Sequence, residues 1–379
     1  MLDEFQLSLR KDCLVSLEGF ADLPRRLAGH RIAVVGGTGF VGTWLAEAVA
    51  ALNDDLGSQV RIDLLGRSAA GWTESHAHLR REFISTQVVD VRSPFELARD
   101  TTLVLFAAGH ADPRLHASDP HQVFQTSVHG VGHAMAVAAR LELLQRFVNI
   151  SSGLVLGGAP GDRALCETDI GALDFTRFHN VYAEARRASE SLVTAYSGQY
   201  RIPASTARAF TFVGPYQALD APWALNNFMR DALSGNDIRI HGDGATRRSY
   251  LYGSDVATWL LKLLLDGRDG DVYNLGGEAP VSHSDAAVRV ATLTNPAPSL
   301  VHKSKPGAAG RTHDFFPDLS HTMASLGVRQ TVDTQAAIAK SMQWHAHRLG
   351  VMRRQRSGGG GCSMIRCCPV AMGVALTEC

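Results

Sequence analysis

The sequence of 379 residues predicts an α/β fold, a doubly wound parallel sheet with a smaller C-terminal domain. Three observations carry that prediction. An apolar run, Ile32 to Val35, leads into glycines at 36, 39 and 42 and then into a helical stretch from Thr43 to Leu52. Short apolar runs recur at Val60 to Leu65, Gln87 to Val91, Leu103 to Ala107, Arg146 to Ser151 and Ala204 to Ala209, with intervals such as Pro120 to Leu144 and Tyr182 to Tyr200 reading as helices. From Phe210 onward the alternation breaks into mixed segments rich in Gly, Pro and Asp, among which Trp259 to Leu265 reads as a buried helix.

These elements divide the chain into four parts. Residues 1–29 read as a helical extension, punctuated by Pro24 and Gly29. Residues 30–209 hold the alternating strands and helices, and residues 210–350 form the smaller domain, interleaved with the last sheet elements. Residues 351–379 turn Arg-rich, then Gly-rich, then Cys-rich, and no packed structure is expected there, because ordering a glycine run costs more entropy than it recovers by burial.

The first strand, turn and helix are the most informative segment. Ile32 to Val35 suits a buried parallel strand. Gly36 permits a tight turn, Gly39 lets a pyrophosphate approach backbone, and Gly42 lets helix and strand pack closely. The helix amides and dipole then face the phosphates. The spacing is G-x-x-G-x-x-G rather than G-x-G-x-x-G, so the glycines by themselves say little. The order strand, glycine turn, amphipathic helix is what points to a dinucleotide and to a Rossmann-type domain.

Composition narrows the partners. Lys and Arg number 37, as do Asp and Glu, so nothing favours nucleic acid or an anionic membrane surface. No apolar stretch is long enough to span a bilayer, and the start, Met1-Leu2-Asp3-Glu4, is acidic where a secretory signal would be basic. A cytoplasmic protein with a small-molecule ligand is expected. Cys13 and Cys166 stand alone, while Cys362, Cys367, Cys368 and Cys379 are irregularly spaced with no histidine nearby, so no metal site is expected. Among the histidines His110, His116, His121, His129 and His133, only His129 and His133 have helical spacing. They lack a neighbouring carboxylate and read as core or surface residues.

Candidate chemistry lies further along the chain. Asn149 to Gly153 closes a strand with Ser151 and Ser152, and Tyr182 and Arg186 share one helical face at i, i+4. A free phenol is a poor base, with a pKa of about 10. A fixed cation beside it stabilises the phenolate and makes it a usable acid or base near neutrality. A serine hydroxyl at the end of a strand can bond the substrate oxygen that loses its proton.

From about residue 30 to 345 the chain resembles the extended short-chain dehydrogenase/reductase superfamily and, within it, the NAD-dependent nucleotide-sugar epimerase/dehydratase family. Gly36-Gly37-Thr38-Gly39-Phe40-Val41-Gly42 corresponds to the cofactor turn, Asp90-Val91 to the pair beside the adenine, and Ala107-Ala108 to the fourth-strand pair beside the cofactor. Ser152 falls on the catalytic Ser/Thr, and Tyr182 on the tyrosine of Y-x-x-x-K. Arg208 to Pro215 resembles the strand and turn leading to the sugar nucleotide, and His241 to Asp255 the G-D-G segment. In that segment Arg248 would clamp the pyrophosphate of the substrate. The resemblance also implies substrate contacts at Thr211 and Asn227, a substrate-binding role for the C-terminal domain, and a homodimer formed through a helix bundle.

The resemblance implies a nucleotide-sugar epimerase or 4-keto reductase. Tyr182 would take the proton from the sugar 4-hydroxyl as hydride passes from C4 to the nicotinamide, with Ser152 polarising the oxygen and Arg186 supplying the charge. Four departures qualify this. The expected lysine is Arg186. Gly153-Leu154 stand where 4,6-dehydratases carry an Asp-Glu pair, which argues against dehydration. Leu156 replaces a tyrosine, and Thr211 replaces an asparagine. A 4,6-dehydratase and a non-catalytic NAD(P)-binding homologue are the alternatives. For the cofactor, NAD and NADP both stay open: Asp63 sits within the second strand, and Arg67 in Gly66-Arg67-Ser68 could meet a 2′-phosphate, which tilts the choice toward NADP, or could cover the adenine.

Overall fold

A computed structural model describes residues 2–157, 163–303 and 314–357, with backbone alone from 351. Seven strands, β1 (Arg31–Val35), β2 (Arg61–Gly66), β3 (Ile84–Val88), β4 (Leu103–Phe106), β5 (Arg146–Ser152), β6 (Ala204–Ala209) and β7 (Val272–Leu275), form one sheet. Their order is β7-β6-β5-β4-β1-β2-β3, and every neighbouring pair is parallel. The protein is therefore α/β with a Rossmann-type sheet. Chain order reverses between β1 and β4, and the crevice beyond their C-terminal ends is where such sheets bind ligands.

The continuous apolar runs follow from burial on both faces. Along β1, Ile32 and Val34 enter one core while Ala33 and Val35 enter the other; Leu103 and Leu105 of β4 likewise part from Val104 and Phe106. The first core joins the helices Phe40–Asp54 and Gly253–Asp266 to the N-terminal helix Glu4–Leu17, through Trp44, Val49, Leu260, Leu9 and Cys13. The second core packs Val131 and Met135 of the helix Pro120–Ala138, with Val193 of the helix Val181–Tyr200, against Phe147 of β5.

Some boundaries differ from the sequence expectation. The glycine-turn helix starts at Phe40 rather than Thr43, because Gly39 itself is its N-cap. The third strand lies at Ile84–Val88 rather than Gln87 to Val91. It is the sheet edge, where Val88 is largely exposed, so its pattern is less apolar than that of the inner strands. Helix Pro120–Ala138 stops short of Leu144, and Leu141 and Leu144 pack on the second core from the following loop. The buried helix around Trp259 extends over Gly253–Asp266. The last helix, Thr334–Ser357, passes Gly350; residues 358–379, with the four clustered cysteines, lie outside the described residues.

Beyond β6, short strand pairs join Phe212–Val213 to Leu251–Tyr252 and Arg247–Ser249 to Pro280–Ser282. They bring the chain back over the C-terminal end of the sheet. Among the described residues no helix is long and apolar enough to cross a membrane.

Candidate active site

The glycine turn is shaped by its surroundings. Gly36 has φ +87°, and a Cβ there would lie 2.5 Å from the amide nitrogen of Ala108, two residues past the end of β4. A Cβ on Gly42 would lie 2.1 Å from the carbonyl oxygen of Gly37, so the first helical turn closes onto the glycine turn more than onto the strand. At Gly39 the nearest atom to such a Cβ is 3.5 Å away, so the protein leaves that side open. The Thr43 hydroxyl donates to the Gly39 carbonyl at 2.9 Å and accepts from Trp72 Nε1 at 3.1 Å, which fixes the helix start.

Beyond this turn lies a cleft of about 770 Å³ that runs from the end of β2 to the segments after β6. Thr38, Phe40, Val41, Arg67, Asp90, Val91, Ala107 and Ala108 line it at the glycine-turn side, and Ser152, Tyr182, Arg186, Thr211 and Arg248 at the other. Gly42 is packed beneath it. Asn227 is not among the lining residues; its Oδ1 accepts from Arg230 Nη2 at 2.7 Å within the helix Ala224–Leu233.

At the β2 end, Asp63 is already engaged, accepting from Arg31 Nε at 2.6 Å and from the Ser85 hydroxyl. Arg67 is exposed at the end of the same strand and reaches Gln122 Oε1 at 3.4 Å. Arg92 reaches the same oxygen at 3.4 Å and donates from Nε to Asp90 Oδ1 at 2.9 Å, holding the Asp90 carboxyl down at about 2. Two guanidinium groups thus converge on Gln122 beside the β2 end of the cleft.

At the opposite end, Tyr182 and Arg186 are both buried, with the guanidinium carbon 5.4 Å from the phenol ring centre. Arg186 Nη1 donates to the carbonyl of Ile150 at 3.1 Å and, more weakly, to that of Ala108 at 3.4 Å. The Ser152 hydroxyl accepts from the Leu154 amide at 3.2 Å. His116 stacks on Tyr182 with ring centres 4.2 Å apart and planes 14° apart. Its Nε2 donates to the His110 carbonyl at 2.6 Å, because a carbonyl can only accept, which leaves Nδ1 as an acceptor when the ring is neutral. Burial pushes the pKa of both His116 and His110 down; the Arg67 and Arg186 charges add to this at His110. Nothing in the spacing of these histidines announced a place in the cleft. The i, i+4 pair was legible, but its stacking partner arrives from the connection after β4.

The wall beside Ser152 is apolar. A Cβ on Gly153 would lie 2.7 Å from the ring of Phe210, which in turn stacks on Phe315 at 4.6 Å. Leu154 is 44% exposed and turns into the cleft, while Leu156 is buried with Val155 and Leu165. Arg248 places its guanidinium carbon 5.5 Å from the centre of Phe315. On the same side Tyr216, held at φ +74°, donates its hydroxyl to buried Glu47, whose carboxylate also meets His78 Nε2 at 2.7 Å. That contact ties the segment after β6 to the glycine-turn helix.

The residues present fit a dinucleotide. Gly39 offers an open backbone approach at a helix N-terminus. The buried Ser151 hydroxyl and Arg186 Nε bond nothing among the described residues, and both side chains line the cleft. Among the described residues, no cluster of three His, Cys, Asp or Glu side chains is placed to hold a metal ion.

A parallel sheet reversed at β1 and β4, with a glycine turn and a Ser-Tyr pair facing one crevice, defines a nucleotide-cofactor enzyme. The chain belongs to the NAD dependent epimerase/dehydratase family, which it matches over residues 32–276. It is 25% identical over 323 residues to UDP-glucuronic acid decarboxylase 1 of Arabidopsis thaliana, covering 84% of this chain and 70% of that protein. It is also 25% identical over 330 residues to human dTDP-D-glucose 4,6-dehydratase, covering 83% and 89%. The fold matches that of the Bordetella bronchiseptica enzyme WbmF, solved in complex with NAD+ and UDP, with a TM-score of 0.71, 20% identity and coverage of 88% and 98%. The protein is thus an enzyme of a family whose members act on nucleotide sugars as epimerases, dehydratases and decarboxylases.

Proposed function

We propose that the protein is an NAD(P)-dependent nucleotide-sugar epimerase or 4-keto reductase acting at sugar C4. The observation that carries this reading is the meeting of Ser152, Tyr182 and Arg186 in the same cleft as the glycine turn. A bound nicotinamide would supply the hydride acceptor and donor there. The turn from Gly36 to Val41 would hold its pyrophosphate, and Ala107, Ala108, Asp90 and Val91 would flank the rest. The fixed guanidinium of Arg186 stabilises the phenolate form of Tyr182, which takes the proton from the sugar 4-hydroxyl and becomes the neutral phenol, while Ser152 holds the oxygen that loses it. Arg248 and Thr211 orient the sugar nucleotide; Asn227, turned to Arg230, does so only if that helix repositions. On this reading residues 30–209 carry the cofactor and 210–350 the substrate. Arg67 at the adenine side tilts the choice from NAD toward NADP, since Asp63 is spent on Arg31 and Arg92 on Asp90.

A second reading, a 4,6-dehydratase, has its own observation. The Phe210 ring leaves no space for an acid on residue 153, but His116, stacked on Tyr182, and His110, on the same cleft, are titratable groups that could move protons instead. The test is a panel of UDP-, dTDP-, GDP- and CDP-sugars, uronates and 4-keto sugars included, assayed with NAD and NADP and, for the 4-keto sugars, with NADH and NADPH, and resolved by product. Epimer or 4-hydroxy product supports the first reading and 4-keto-6-deoxy product the second. Carbon dioxide from a uronate, or no turnover with any member of the panel, overturns both.

A further inference from the structure

Arg186 carries a guanidinium where the resemblance implies a lysine, and the larger group has to be accommodated in a buried position. A Cβ built on Gly109 would lie 1.7 Å from Arg186 Nη2, 2.8 Å from Cζ and 3.4 Å from Nη1, and these are the three nearest heavy atoms. The backbone of Gly109 is not in the left-handed region, so nothing but the guanidinium requires glycine there. The guanidinium cannot simply swing aside. Arg186 is 5% exposed, and its Nη1 is held between the carbonyls of Ile150 and Ala108, at the ends of β5 and β4. Moving it would leave a buried charge and two carbonyls short of a partner.

We infer that Gly109 is a positioning residue that acts through Arg186. By lacking a side chain it seats the guanidinium across the ends of β4 and β5, which keeps a fixed cation beside Tyr182 in a chain that has no lysine at that place. Gly109 and Arg186 are thus a compensated pair, 77 positions apart in the chain and in contact at the cleft floor. The inference rests on the proposed role of Arg186 for its effect on turnover. Its steric part stands apart from that role.

The experiment is a double-mutant cycle read by melting temperature, cofactor affinity and turnover on the full chain. Gly109→Ala should lower the melting temperature by about 3 °C or more in the wild-type background, and by no more than about 1 °C when combined with Arg186→Lys or Arg186→Ala. Arg186→Lys alone should lower turnover, since the site is built for the broader group, and Gly109→Ala should lower kcat about tenfold or more with KM changed by less than about threefold. Gly109→Ala/Arg186→Lys should recover part of that kcat, which a purely structural glycine would not allow. Equal losses on Gly109→Ala in all three backgrounds would overturn the pair. If Gly109→Ala does not fold alone, comparison of Gly109→Ala/Arg186→Ala with Arg186→Ala still decides the steric claim. Should wild-type protein turn over no nucleotide sugar, the proposed function fails while the melting-temperature cycle continues to report on the pair.

Discussion

The glycine-turn end of the cleft is held by constraints close to hand. Gly36 and Gly42 are demanded by backbone of the turn itself or of the segment just past β4, at 2.5 Å from Ala108 and 2.1 Å from Gly37. At the reacting end two residues that depart from the family pattern are fitted by partners far along the chain, Arg186 by Gly109 and Gly153 by Phe210, and Tyr182 is stacked by His116. Gly36 and Gly42 face backbone, which cannot move aside, whereas Gly109 and Gly153 face side chains, whose type can change together with the residue opposite.

The largest effect should come from removing the proton carrier at the reacting end. Tyr182→Phe keeps the stacking on His116 and should lower turnover by about two or more orders of magnitude, with substrate affinity little changed, in steady-state and binding assays. If turnover falls less than tenfold, His116 or another group carries the proton, and the two ends differ less than argued.

At the turn, Gly36→Ala must place a Cβ at φ +87° against Ala108 and should cost about 2–5 kcal/mol in denaturant unfolding. Gly39→Ala meets only ordinary contact, so stability should change by about 1 kcal/mol or less, yet NAD(P) affinity should drop about tenfold where the pyrophosphate approaches. A stability loss at Gly39 equal to that at Gly36 would blur the distinction between a residue that shapes the turn and one that faces the ligand. A smaller effect is expected at the adenine side. Arg67→Ala should weaken NADP binding by about tenfold and NAD binding by twofold or less, measured by calorimetry; equal losses would mean that the arginine only covers the adenine.

The gentlest probe lies outside the cleft. Burial lowers His283 and His345 to about 4, so between 6.5 and 4 the folded state binds fewer protons there than the unfolded chain. The stability they contribute is present above pH 6.5 and is lost as pH falls toward 4. Asp255, raised to about 6 by burial, acts in the opposite sense, gaining stability as pH falls from 6 toward 3.8. With two imidazoles against one carboxyl, the melting temperature should decline from pH 7 to pH 4.5, and His345→Gln should flatten the decline. A melting temperature that rises on acidification would show the carboxyl dominating.

How much was legible follows the range of the forces involved. The inner strands could be read because burial on both faces writes an unbroken apolar run, as in Ile32 to Val35, whereas β3 was displaced because one edge of the sheet is not buried that way. Tyr182 and Arg186 could be paired because helical periodicity is local. Asp63 lay in a strand by its neighbours alone, but its commitment to Arg31 appears only across the sheet.

By itself the sequence determined the alternation of strand and helix, the glycine turn and the Ser, Tyr and Arg that could do chemistry, because each depends on residues within about one helical turn or one strand of one another. Tertiary structure alone decided that His116 lies on Tyr182, that Phe210 closes off residue 153, that Tyr216 ties to Glu47 and that Gly109 makes room for Arg186. Those contacts join strand ends and loops remote in the chain, and their distances follow from sheet order and packing, which no local pattern records.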